Sequence, residues 1–168
     1  ISIATFYNHF TTKDDALISA YEQLMGDLVE LVEDKCRIDT LLDAGLRQLI
    51  ESWVAHSAIF FRHNASLFRL AQVAIERSKT MRNLFREHEM IVIKHYQRFI
   101  ERGQAASLIR AGNAETMAEV LAVVSESWNH PLVQRLEEGS EFHQELTESV
   151  TRILEPANQY KHEGKNNV

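Results

Sequence analysis

Ile1-Ser2-Ile3-Ala4-Thr5-Phe6-Tyr7-Asn8-His9-Phe10-Thr11-Thr12-Lys13 opens the chain and gives the first indication of its architecture. Residues 1–10 read as a short helix rich in apolar and aromatic groups, with a break at Thr11-Thr12. Phe6 and Phe10 stand four apart, so on a helix they share a face and can anchor it into a small core. Thr12 with Asp15 three residues on is a capping-box-like start, because the threonine oxygen can accept the third amide of the next helix. Asp14 and Asp15 also suit the positive end of that helix. It is predicted to run to about Asp34 on the stripe Leu17, Tyr21, Leu24, Leu28, Leu31 and Val32, spaced by three and four residues.

The same periodicity continues downstream. Asp39 or Thr40 is expected to start a helix with Leu42, Leu46, Leu49, Trp53, His56 and Phe60 on one face, ending near His63-Asn64. A shorter helix turns Leu67, Leu70, Ala71 and Ala74 inward. Ser78-Lys79 punctuates the chain before a long helix carrying Leu84, Phe85, His88, Ile91, Val92, His95 and Phe99. Gly103 after Arg102 fits a C-terminal cap with a cation in the last turn. Asn113 caps the next helix, whose stripe is Met117, Val120, Leu121, Val124 and Trp128, until Pro131 interrupts it. The last helix starts near Ser140, presents Phe142, Leu146, Val150, Ile153 and Leu154, and stops at Pro156. The total is about seven helices.

Composition agrees with an all-α reading. The 168 residues are 45% hydrophobic, with 6 Gly and 2 Pro, too few for the many tight turns of a sandwich or barrel. No apolar run reaches the length of a membrane span and no secretory signal is visible. One cysteine, Cys36, excludes an internal disulfide and any cysteine-based zinc site, so a reducing, cytoplasmic home is expected. A start at Ile1 rather than Met reads as a fragment or a processed product.

Charge is unevenly spread. Residues 1–61 hold 4 Lys/Arg against 10 Asp/Glu, residues 62–110 hold 10 against 4, and residues 111–168 hold 4 against 10, for a net −6. The overall sign disfavours a general nucleic-acid coat protein. The basic run Arg62, Arg69, Arg77, Lys79, Arg82, Arg86, Lys94, Arg98 and Arg102 reads as a solvated face paired with Glu76, Glu87, Glu89 and Glu101; the other reading is contact with phosphates or an acidic ligand.

Phe6-Tyr7-Asn8-His9-Phe10, followed after a short turn by Lys13, resembles the end of the recognition helix in TetR/AcrR-family transcriptional regulators. The rest of the chain is similar to that family in helix order and approximate lengths, and Gln104 to Trp128 looks like its link into the dimer helices. The resemblance implies an all-α fold: a helix-turn-helix remnant at 1–13, a ligand-binding and dimerisation bundle at 14–160, and a frayed tail at 161–168. It implies a homodimeric, ligand-responsive regulator, expected to be a repressor released from operator DNA by a small hydrophobic molecule.

The physical logic of such a helix can be read residue by residue. A recognition helix lays short groups against base edges and its flanks against phosphates. Ser2 and Thr5 can reach base edges, Ala4 permits close approach, and Ile3 can touch a thymine methyl. Tyr7 and His9 carry polar tips on long rings suited to phosphate oxygens, and Lys13 adds charge at a helix N-terminus. The family's reading head begins two helices earlier, so residues 1–168 alone are expected to bind DNA poorly.

A ligand site is expected among the central helices, where the resemblance also points. Trp53, His56, Phe60, Phe85, His88, His95, Tyr96 and Phe99 are the candidates to line a largely apolar cavity with a few polar groups. An apolar, aromatic pocket with histidines suggests a medium-sized hydrophobic or weakly acidic molecule. His88 and His95 lie two turns apart on one face. The three histidines also fit satisfied core or boundary positions. No metal-site spacing supports a metal role, and no cofactor is implied. Trp53 or Phe85 to alanine is therefore expected to alter ligand response and spare operator affinity. For a two-fold interface the candidates are Met117, Val120, Val124, Trp128, Phe142, Leu146, Val150 and Ile153; the same residues could instead close the monomer core. No catalytic set appears: Ser57 and Ser125 lack a glycine elbow, and Cys36 has no histidine near it in sequence. The other classes left open are a helical sensor without DNA binding and a small helical enzyme acting on an apolar substrate.

Overall fold

The computed structural model describes Phe10 and residues 12–156, which are helical and contain no strand. The helices are α1 (Lys13–Lys35), α2 (Ile38–Ala44), α3 (Leu46–His63), α4 (Ala65–Arg77), α5 (Lys79–Ala105), α6 (Ala114–Glu126), α7 (Pro131–Gln134) and α8 (Glu141–Leu154), with a 3-10 turn at Ser127–Asn129. Among these residues no helix is long and apolar enough to cross a membrane. Of the base- and phosphate-facing candidates, Ser2, Ile3, Ala4, Thr5, Tyr7 and His9 lie outside the described residues. Lys13 is the first residue of α1.

The helix starts follow the side chains expected to cap them. Thr12 Oγ1 accepts from the Asp15 amide at 3.1 Å while Asp15 Oδ2 accepts from the Thr12 amide at 2.9 Å. Ser78 caps α5, Asn113 caps α6 and Ser140 caps α8, each accepting the amide three residues on. Pro131 takes the first position of α7, where its missing N–H leaves nothing unpaired, and His130 caps that helix.

Two breaks depart from expectation. The helix predicted from Asp39 to His63 is two, because Gly45 adopts a φ of 83°, which a helix does not allow. That break resets the helical phase. Leu42 is consequently exposed, while Leu41 on α2 and Leu49, Ile50, Trp53, Val54, Ser57, Ala58 and Phe61 on α3 are buried. On α4 Phe68 and Ala71 are buried, and Leu67 and Ala74 pack half-buried against the core as expected; Leu70 is 60% exposed.

Gly103 does not end α5. The helix runs to Ala105 and closes with Ser107 in the left-handed region at φ 60°, the Leu108 amide reaching back to Gly103 O at 2.9 Å and the Ser107 amide to Gln104 O at 2.9 Å. This is a Schellman ending with serine in the position glycine usually holds. Gly103 instead leaves room for Ile109, which folds back against it: a Cβ there would sit 2.7 Å from Ile109 Cγ1. Helix propensity alone makes Gly103→Ala stabilising by about 1 kcal/mol. The clash with a buried side chain reverses the sign, to a net loss of about 1–2 kcal/mol. Urea unfolding should show that loss, and show it much reduced in an Ile109→Ala background. Equal losses in both backgrounds would place the cause elsewhere.

α3 is the central rod, touching α1, α2, α4, α7 and α8, and α5 packs along α1, α4 and α6. Trp53 of α3 meets Tyr96 of α5 and Trp128 of the 3-10 turn edge to face, each at 5.6 Å between ring centres. α8 lies on α3 with an unexpected face inward. His143, Thr147 and Thr151 are buried beside Val150 and Leu154, while Phe142 is 43% exposed. Two of the inward polar groups make local bonds: His143 Nδ1 accepts the Gly139 amide at 2.9 Å and Thr151 Oγ1 donates to Thr147 O at 2.7 Å, whereas Thr147 Oγ1 has no partner among the described residues. Arg110 pins the end of α8 through Nε to Ile153 O at 2.6 Å, and its amide donates to Leu154 O at 2.8 Å.

The basic run is largely solvent-facing, as the first of its two readings has it. The pairing expected with it is not found: no ion pair among the described residues joins it to Glu76, Glu87, Glu89 or Glu101. Arg82 donates instead to Ile75 O and Glu76 O at the end of α4, and Arg62 donates to Leu136 O.

Candidate functional site

A cavity of about 560 Å³ opens between α1, α3, α4, α5 and α6. Its volume lies within the range of small-molecule sites. α1 contributes Tyr21, Met25 and Leu28, and α3 contributes Phe61. α4 supplies Phe68, Ala71, Gln72, Ile75 and Glu76; α5 supplies Phe85, Glu89 and Val92. Ala122, Ser125 and Glu126 of α6, with Asn129 beyond it, close the far wall. Phe61 and Phe68 stack at 4.6 Å with an interplanar angle of 22°, forming a flat aromatic panel.

The polar groups are unevenly distributed. Glu76, Glu126 and Gln72 are exposed and mark the solvent side, whereas Glu89 is half-buried. Burial, then the neighbouring Glu126 carboxylate, raises Glu89 above its ordinary value against the opposing pull of Arg86. Burial pushes the Tyr21 phenol up to about 12, with the Glu89 carboxylate adding to the effect. At neutral pH Tyr21 is therefore a neutral donor and acceptor on the wall.

Of the eight ligand-site candidates, only Phe85 lines this cavity. Trp53 and Tyr96 sit one layer behind it, each 1% exposed. Tyr96 shares a 2.9 Å hydrogen bond with Ser125, which does line the wall. Phe60 backs the aromatic panel at 5.5 Å from Phe61 and 6.2 Å from Phe68. The histidines are drawn off elsewhere. His56 is exposed and its Nδ1 bonds Ser52 O at 2.7 Å; His88 Nδ1 bonds Leu84 O at 2.9 Å. His95 Nε2 faces Glu33 at 3.2 Å, in a separate polar cleft with Cys36, Arg98 and Phe99. Desolvation pushes the Cys36 thiol up to about 12, so it stays protonated at neutral pH and is a poor nucleophile. Among the described residues no group of His, Cys, Asp and Glu is placed to hold a metal ion.

Sequence periodicity does not point to Tyr21, Phe61, Phe68, Glu89 or Glu126 as lining residues. For Phe61 the miss is a single position: the expected stripe passes from Trp53 through His56 to Phe60, whereas the buried face of the unbroken α3 runs through Trp53, Ser57 and Phe61. Tyr21 is visible as a stripe residue of α1 but carries no sign that this stripe faces a void.

Among the interface candidates, Met117, Trp128 and Val150 are buried within this chain's own core. Val124, Leu146 and Ile153 are half-buried, and Val120 and Phe142 are exposed. Val123 on α6, outside the candidate set, is 68% exposed.

No family model matches this chain, and no curated protein matches it.

Proposed function

We propose that this chain is the ligand-sensing body of a homodimeric transcriptional regulator, a repressor that leaves its operator when a small, largely apolar molecule fills the cavity. The observation that carries this reading is the position of α1. Its first residue, Lys13, stands three residues after Phe10, where the stretch that resembles a recognition helix ends, and two turns later Tyr21, Met25 and Leu28 form one wall of the cavity. A helix of 23 residues spans roughly 35 Å, so a small tilt at the cavity wall moves its N-terminal end. A ligand that prefers one tilt shifts the population of reading-head spacings by its differential affinity for the two states. Two recognition helices must match successive major-groove half-sites, so altered spacing weakens DNA binding.

Dimerisation is supported by the apolar residues left outside the core. Val120 and Val123 on α6 and Phe142 on α8 are exposed. A two-fold arrangement pairing these helices with a second copy would cover them.

The test uses the full gene product in a selection from random duplex DNA. A selected site with two half-sites about one helical turn apart, bound by a dimer in light scattering and released by a cavity ligand, is the expected result. Failure to select any sequence, with the cavity still binding small molecules, would replace the regulator by a sensor without DNA binding.

A further inference from the structure

We infer that the cavity selects a lipophilic cation: an aromatic or bulky apolar body carrying a positive charge at Glu89 and Glu126. The inference rests on the ligand-sensing reading above and names its ligand class. It reverses the expectation of a weakly acidic ligand, which depends on histidines that the structure places elsewhere.

Two observations point the same way. First, the lining includes three carboxylates, Glu76, Glu89 and Glu126, and no lysine, arginine or histidine. An anion entering would meet like charge on the lining, while a cation meets its counter-charge at a partly desolvated position, where electrostatic attraction is stronger than in water. Second, the body of the cavity is apolar and aromatic. The stacked Phe61–Phe68 pair, Phe85 and the neutral ring of Tyr21 offer faces that attract a cation and cover its apolar substituents.

The neighbours of Glu89 fit a guest that supplies charge. Glu126 on α6 and Tyr21 on α1 are set against it, Glu76 stands on α4, and Arg86 on its own helix is the opposing cation. Without a guest, the ionised Glu89–Glu126 pair is mutually repulsive. A bound cation relieves that repulsion, so its affinity should rise as pH is raised through the titration of Glu89, and binding should release protons.

The experiment compares two ions of nearly the same shape and opposite charge, tetraphenylphosphonium and tetraphenylborate, with the neutral dye Nile red as a charge-free probe. Binding to the 168-residue chain is read by calorimetry and by quenching of tryptophan fluorescence. Phosphonium binding at least roughly tenfold tighter than borate, weakened about tenfold by Glu89→Gln and again by Glu126→Gln, is the expected result. Nile red affinity should be unmoved by either substitution, which shows that the cavity is still formed. Equal affinity for both ions, or a preference for borate, overturns the cation inference and leaves the ligand-sensing reading standing. No binding of any of the three probes by the folded chain overturns both.

Discussion

Replacing Trp53 with alanine should destabilise the protein by about 3–5 kcal/mol, and it should do so without touching the ligand directly. The indole is 1% exposed and is the hub of an aromatic cluster, with Tyr96 and Trp128 edge to face at 5.6 Å on either side. Removing it leaves a void that rigid neighbours on two other elements cannot close. Against a typical domain stability of about 5–15 kcal/mol, this is a large fraction. Urea unfolding with circular dichroism measures it. Phe85→Ala supplies the contrast: its ring is half-buried on the cavity wall, so its larger effect should fall on ligand affinity. Periodicity alone groups these two residues as equivalent ligand contacts; the structure separates them into a core residue and a wall residue. A Trp53→Ala variant with unchanged unfolding would contradict the cluster.

Filling the cavity should strongly weaken binding while leaving the fold intact. Ala122 is half-buried on α6 and faces the void, one turn before Glu126. Small-to-large changes usually destabilise because they overpack a dense core, but an existing cavity removes that penalty. Ala122→Phe is therefore expected to change stability by less than about 1 kcal/mol and to weaken binding of a cavity probe by roughly a hundredfold, which is about 2.7 kcal/mol. In the regulator reading, operator binding by the variant persists but no longer responds to ligand. Retained probe affinity would place the ligand site outside this cavity.

The contrast between what is legible in the sequence and what is not follows the range of the forces involved. Capping is local. Thr12 with Asp15, Ser78, Asn113 and Ser140 mark helix starts that the structure contains, because each cap satisfies amides within three residues of itself. Gly45 is less informative, since one glycine inside an apolar pattern does not disclose its φ. Its break separates Leu42, which is exposed, from the face that Leu49 and Trp53 bury. Polar faces mislead in both directions. His143, Thr147 and Thr151 are spaced four apart, a helical stripe, yet polarity argues for the outside; local hydrogen bonds to Gly139 and Thr147 let part of that stripe turn inward. The histidines on apolar stripes look like cavity linings, yet His56 and His88 bond to their own helices, and His95 to Glu33.

By itself, then, the sequence determined the all-helical class, most helix boundaries and many of the residues that face inward, because these depend on 3.6-residue periodicity and on contacts within a turn. Tertiary structure alone decided where the helices fail to meet. A void is a property of several helices at once, and only their packing sets Phe61, Phe68, Glu89 and Glu126, from four different elements, around one space. Packing likewise kept the basic residues from the walls of this space and placed three carboxylates on them.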